Sequence, residues 1–391
     1  MPTKTSRRSF LISSLGSALL VRADQESSIQ SISTPQGGLQ PQAVVDSRGV
    51  IHLIYLYGDP AAADIGYARK LPGDHEFSAP IRVNSHAGSA IALGTVRGAH
   101  LALGRSDRIH VAWNGSSAAE PKGPRSSVPM LYTRMNDRND GFEPQRNLMT
   151  TASGLDGGGT VAADSQGNIF VAWHAQGQQN GQPIEGEGHR RVWLSTSMND
   201  GRTFDRETPV SPAELGACGC CGMGALADAE GNLYLLYRSA RETIHRDMYL
   251  LTSRDRGRTF QAVNLHPWQI GACPMSTVSL ASGNGRVLLS WETQNEVYFA
   301  TVDIRNRAIG KPVAAPREGG KRKHPAIAIN GRGETLLAWT EGTGWKKGGS
   351  LGWQIFDRTG QPVATRRSSP SIPAWDFATA IPVKNDFLVI S

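Results

Sequence analysis

The four cysteines of this 391-residue chain are not scattered. Three stand in Cys218-Gly219-Cys220-Cys221, followed by Gly222-Met223, and the fourth opens Cys273-Pro274-Met275. Three chemistries suit such a group. An even number of cysteines in an exported protein forms disulfides, with Cys273 bridged to one of the three or Cys220 bridged to Cys221. Several thiolates with a thioether such as Met275 would hold a metal. Copper suits them best, because soft sulfur ligands select Cu(I), and zinc less well, because Cys-x-Cys-Cys is not a standard zinc spacing. The third is a reactive thiol, with Arg238 available to lower its pKa.

Other residue types add to the set. Arg238 ends the apolar run Leu233 to Tyr237, and its guanidinium can clamp a carboxylate in two parallel hydrogen bonds. Arg246 is a second candidate for the ligand, with pairing to the adjacent Asp247 as the structural alternative. Glu292 and Glu341 each follow an apolar run and make a candidate general acid/base pair for glycoside chemistry. Asn114, His174 and His324 are further ligand-binding candidates.

These residues are positioned by a repeated phrase. Val161 to His174 reads V-A-A-D-S-Q-G-N-I-F-V-A-W-H, two alternating runs around a tight Asp-Ser-Gln-Gly turn, which predicts an antiparallel hairpin. Copies recur at 44–55, 102–113, 225–237, 280–291 and 326–339, and a seventh ends at Ser391. The closing aromatics Tyr55, Trp113, Trp173, Tyr237, Trp291 and Trp339 fall 48 to 64 residues apart. One hairpin cannot bury its own apolar face, so the copies must stack. The fold expected is all-β, a single β-propeller of six or seven four-stranded blades, with seven favoured by the hairpin count. Its mouth lies where the inner strands start. Residues just before each first strand (the cysteines, His324) and just after each closing aromatic (Asn114, His174, Arg238, Glu292) should converge there.

Composition sets the frame. With 44 glycines, 22 prolines and only 19% charged residues, the chain suits many short strands and turns, and no long amphipathic helix is legible. Ser6-Arg7-Arg8-Ser9-Phe10-Leu11 and the apolar run to Val21 resemble a twin-arginine export signal over residues 1–23, which implies a periplasmic or secreted protein. That run is too short for a membrane span, and no other is expected in the mature chain. Without the leader's four basic residues the net charge of +7 falls to +3. The rest are dispersed, and Lys321-Arg322-Lys323-His324 reads as a solvated loop, so no nucleic-acid partner is expected. A polar segment over 24–40 precedes the propeller at 41–391, and Ser28 to Ile32 within it is a candidate outer strand closing the ring.

Ser253 to Phe260 (S-R-D-R-G-R-T-F) matches the Asp-box pattern S-x-D-x-G-x-T-F at every position, Ser197 to Phe204 matches with Asn for Asp, and Asn136 to Phe142 is a worn copy. With the repeat, these boxes give a chain that resembles the sialidase-like, or BNR-repeat, β-propellers over nearly its whole mature length. The resemblance implies a glycan or small-molecule ligand and, in orthodox sialidases, six blades, an arginine triad on the substrate carboxylate, a Tyr nucleophile activated by Glu, and an Asp acid/base. This sequence departs from that pattern. Leu39-Gln40-Pro41-Gln42 stands where the first arginine's R-I-P motif belongs, only Arg238 suits the triad, and no Tyr–Glu pair is assignable. The expectation is a divergent, glycan-directed member. Cys-x-Cys-Cys, Tyr-Arg, Arg-Asp and Trp268 to Pro274 are also similar to segments of uncharacterised exported sialidase-like proteins. The alternatives are a thiolate–copper protein centred on the cysteines and a non-catalytic scaffold held by disulfides.

Overall fold

The computed structural model describes residues 1, 27–316, 320–363 and 370–391; the expected leader, apart from Met1, lies outside them. Seven antiparallel hairpins each found one sheet, and the seven sheets close a propeller. The inner strands of blades 1 to 7 are Leu39–Val45, His100–Leu103, Gly159–Ala163, Gly224–Ala227, Ser279–Gly283, Arg322–Ile329 and Thr379–Val383. Blades 1 to 6 have four strands. Blade 7 has three among the described residues, because its third strand is Ile29–Ile32, which runs parallel to Asp386–Ile390 with Ile29 opposite Phe387. The expected ring closure is thus observed, and the segment over 24–40 belongs in part to the propeller. The remaining described structure is loops, single-turn 3-10 helices and one two-stranded ribbon, Gln178–Gln179 with Gln182–Pro183, and no described helix is long and apolar enough to cross a membrane.

The apolar runs are nearly continuous because each blade is covered on both faces. Along Leu233–Arg238, Leu235 and Tyr237 pack toward blade 3, while Tyr234 and Leu236 pack toward blade 5. The closing aromatics do the same work around the ring: Trp173 packs against Met130 and Tyr132 of blade 2, and Trp113 against Ile54 and Leu56 of blade 1. Each core is therefore an interface between neighbouring blades, and a single hairpin has none of its own.

The turns follow their chemistry. In the inner hairpins, Asp164 Oδ1 accepts the backbone N–H of Gln166 and Asn168, both at 2.9 Å, and Asp46, Asp228 and Asn330 repeat the pattern. In the Asp box, Asp255 accepts Thr259 N at 2.9 Å and Thr259 Oγ1 at 2.6 Å, and Gly257 takes φ +81°. Phe204 and Phe142 pack edge-on to Tyr132 and Tyr67 of the preceding blades. The fourth strand of blade 1 is only Ile81–Arg82.

Candidate functional site

The end of the propeller opposite the Asp boxes gathers the loops that lead into the inner strands. Residues other than glycine hold left-handed backbone there, among them Gln40, Thr95, Met275, His324 and Trp375, with φ between 50° and 63°. Such conformations are costly for side-chain-bearing residues and concentrate at functional sites. Below them the axial channel, about 390 Å³, is lined by apolar inner-strand residues such as Ala102, Ala162, Ala225, Ala281, Ala328 and Ala380.

The cysteine turn enters blade 4 and is tied to three blades. Cys221 N donates to Cys218 O at 3.2 Å, Cys218 N to Arg238 O at 2.9 Å, Gly222 N to Ser276 O of blade 5's lead-in, and Gly158 N of blade 3's lead-in to Cys221 O. Gly219 lets the turn sit against its neighbours, since a Cβ there would lie 2.9 Å from the Asp156 carboxylate and 3.1 Å from Arg190. Cys218 Sγ stands 3.2 Å from Cys220 Sγ and 3.5 Å from Cys221 Sγ, and Cys273, on the exposed loop entering blade 5, comes within 4.8 Å of Cys220 and of Glu187. The four thiols are free in this structure, with sulfur separations longer than the ~2.05 Å of an S–S bond. Burial opposes ionisation of Cys221, but S–H donation from Cys218 and Cys220 and the Arg238 charge outweigh it and hold its pKa well below the ordinary thiol value. Donation to its neighbours and burial push the Cys220 thiol up.

Arg238 ends the second strand of blade 4 and is buried. Its Nη1 donates to Arg246 O at 2.8 Å, its Nη2 to Glu292 O, and its guanidinium lies over the Trp268 ring at 5.1 Å. Glu292, at the same place in blade 5, has Oε1 on Asn295 N at 2.7 Å and Oε2 3.7 Å from Arg238 Nη2. Burial raises its pKa, and Arg238 only partly opposes this. Arg246 does not pair with Asp247; it reaches Glu187 at 2.5 Å, while Asp247 accepts Trp268 N at 2.8 Å. Neighbouring residues project in different directions, so the two side chains find partners on different loops. Asn114 ends the second strand of blade 2, His174 lies near the end of the second strand of blade 3, Ile169–Gln176, and both are also buried. Burial lowers His174 to about 4. Buried atoms at this end lack hydrogen-bond partners: both ring nitrogens of His174, Asn114 Oδ1, Arg238 Nε, Arg246 Nε and Nη1, and Glu292 Oε2.

Glu341 has partners of its own, different from those of Glu292. Its Oε1 accepts Arg322 Nε at 3.0 Å and Trp339 Nε1 at 2.8 Å, and Arg322 also reaches Glu296 at 3.0 Å. Lys321 to His324 is therefore not a solvated loop. From Arg322 it belongs to blade 6's inner strand, where alternation turns Arg322 and His324 inward. His324 lies between Thr95 Oγ1 and Thr277 Oγ1, each 3.4 Å from a ring nitrogen, and burial lowers its pKa to about 3.

A small pocket of about 80 Å³ opens beside it, lined by Cys273, Met275, Lys323, Trp345, Trp375 and Asp376 among others. Trp345, 55% exposed, meets Trp375 edge-on at 6.3 Å. Asp376 is buried with Oδ1 accepting Gln40 N at 2.6 Å and Phe377 N at 2.8 Å, and burial raises its pKa to about 6. Sequence reasoning missed Glu187, Trp345, Trp375 and Asp376. Trp375-Asp376 stands before the seventh inner strand, where the rule that picked the cysteines applies equally.

No protein-family profile matches the chain, and no curated protein does. Among solved structures, the NanB sialidase from Streptococcus pneumoniae superposes with TM-score 0.54 at 9% identity, over 86% of this chain and 84% of that one. The Hadza microbial sialidase Hz136 gives 0.51 at 14% identity, over 84% and 70%. The polysaccharide lyase Uly1 gives 0.50 at 9% identity, over 82% and 78%. At such identities the likeness speaks for architecture, and the chain is a sialidase-like β-propeller.

Proposed function

We propose that the protein is exported by the twin-arginine route and that its axial mouth takes a glycan, with chemistry other than that of an orthodox sialidase. The carrying observation is the pocket at blades 5 to 7, where the part-exposed Trp345 and Trp375 stand beside Lys323, Lys347 and Asp376. An indole wall suits the apolar face of a sugar ring, and the lysines suit an acidic substituent on it. Sialidases and a polysaccharide lyase share the fold, so the fold leaves the reaction open. Glu292 is the group suited to donate a proton, because burial favours its neutral form and its Oε2 carries no hydrogen bond. Arg238, bonded to blades 4 and 5, fixes the position of Glu292 rather than standing free as a triad member.

The test is a glycan array with the mature protein, followed by turnover assays on the glycans bound. Trp345→Ala should weaken binding by about tenfold or more, equivalent to about 1.4 kcal/mol. Glu292→Gln should abolish turnover while leaving binding and thermal unfolding close to wild type. Absence of binding across acidic and neutral glycans would sink the proposal. Binding with turnover unchanged in Glu292→Gln would remove Glu292 from its role.

A further inference from the structure

Independently of the glycan reading, we infer that Cys218, Cys220 and Cys221 form a copper(I) site at the edge of the mouth. The first support is geometric. Three thiols from one four-residue turn have their sulfur atoms within 4.8 Å of one another, with two separations of 3.2 and 3.5 Å. Three sulfurs this close can meet around one small soft ion after a shift of a few tenths of an ångström. A disulfide within the turn would join only two of them and leave the third sulfur without a role.

The second support is the surrounding charge. Arg238 and Arg246 are both buried against the turn, Arg238 accepting the turn's backbone N–H on its own carbonyl, and three of their guanidinium nitrogens have no hydrogen-bond partner. Glu187 answers part of the Arg246 charge and Glu292 part of the Arg238 charge. A cuprous ion bound by three thiolates carries a net charge of −2, and two guanidiniums beside it supply the opposite charge and unspent donors. A neutral trithiol would leave them without purpose. On binding, each S–H loses its proton to solvent and gives a Cu–S bond, and copper stays in the +1 state, so no oxidant or reductant is consumed.

The third support is the way in. Cys218 and Cys221 are sealed, whereas Cys220 is only partly buried and Cys273, within 4.8 Å of it, is exposed. That places a sulfur relay at the open side through which a soft ion can pass to the buried trio. The metal preference follows from the donors: the clustered ligands are thiolates without an imidazole, and a trigonal sulfur set suits Cu(I) better than tetrahedral zinc. Met275 stands with Cys273 on the pocket wall, outside the trio.

The experiment uses the whole mature chain, reduced and loaded anaerobically with Cu(I), then titrated against a Cu(I) chelator. The expected result is one copper per chain with a sulfur-only first shell by X-ray absorption. Cys220→Ser and Cys221→Ser should each abolish stoichiometric binding. Cys273→Ser should retain the stoichiometry and slow loading. Arg246→Met should weaken affinity by about 10- to 100-fold, as loss of an outer-shell partner does. Circular dichroism of each variant separates lost copper from lost fold, and Cys220→Ser, at the less buried position, serves if Cys221→Ser fails to fold. Three results would overturn the inference: no bound copper, zinc retained against Cu(I), or a disulfide within the turn in protein purified from its own export route. None of these depends on whether a glycan binds.

Discussion

The two ends of the propeller hold their buried charges differently. At the Asp-box end the turn carboxylates are satisfied locally: buried Asp164 and Asp228, and the part-exposed Asp255, accept backbone N–H groups two to four residues ahead. Where charges are buried deeper, they face their opposites, with Asp200 Oδ2 at 2.7 Å from Arg108 and 3.1 Å from Arg134. At the mouth, His174, Arg238, Arg246 and Glu292 are as buried but keep atoms unpaired. The carboxyl groups record the same contrast. Asp255 sits at about 2 through its hydrogen bonds to Thr259, while burial lifts Asp376 to about 6. One end sets each of these buried charges against an opposite one, although Arg134 Nε and Asp200 Oδ1 carry no hydrogen bond, while the other leaves both ring nitrogens of His174 without a partner.

This contrast can be broken by mutation. Asp200→Ala would leave Arg108 and Arg134 buried without their shared anion and should cost about 3–5 kcal/mol in urea unfolding. A cost below 1 kcal/mol would mean that the Asp-box end is not held by its ion pairs.

Asp376→Asn sharpens the comparison through pH. The folded pKa of Asp376 lies above its unfolded value, so its stabilising contribution is complete below about pH 4 and is lost as pH rises through about 6. The Asn variant should therefore gain on wild type between pH 4 and 7 by up to about 3 kcal/mol. A difference independent of pH would place the Asp376 carboxyl in a solvated environment. Asp255 has the opposite sign: its contribution is present above pH 4 and is lost only as pH falls toward about 2.

The smallest effect is expected at the part-exposed boxes. Asp255→Ala should cost about 1 kcal/mol, the net worth of a turn's hydrogen bonds, and Asn199→Asp should be neutral within about 0.5 kcal/mol. A larger loss at Asp255 would show that the box couples to packing between blades 3 and 4 through Phe260.

Much of this was legible beforehand. Hairpin turns, closing aromatics and Asp boxes are local: their residues act within a few positions, so spacing in the chain is spacing in space. The cysteine turn could be found for the same reason. What failed was pairing across loops. Arg246 found Glu187, which is 59 residues away, and Arg322 found Glu296 and Glu341, so the basic run at 321–324 was misread as surface. Glu292 and Glu341 read as equals in sequence, yet one has a carboxylate oxygen without a hydrogen bond and the other is held by Arg322 and Trp339.

By itself the sequence determined the strand repeat, the turn chemistry and therefore a closed array of seven hairpins, because these depend on contacts between near neighbours and on apolar faces that must be covered. The tertiary structure alone decided which thiols meet, which guanidiniums are partly spent, and which carboxyl groups are buried. Those properties arise where loops from blades 3 to 7 come together at one rim, and the arrangement of that rim follows from closing the ring rather than from any single stretch of chain.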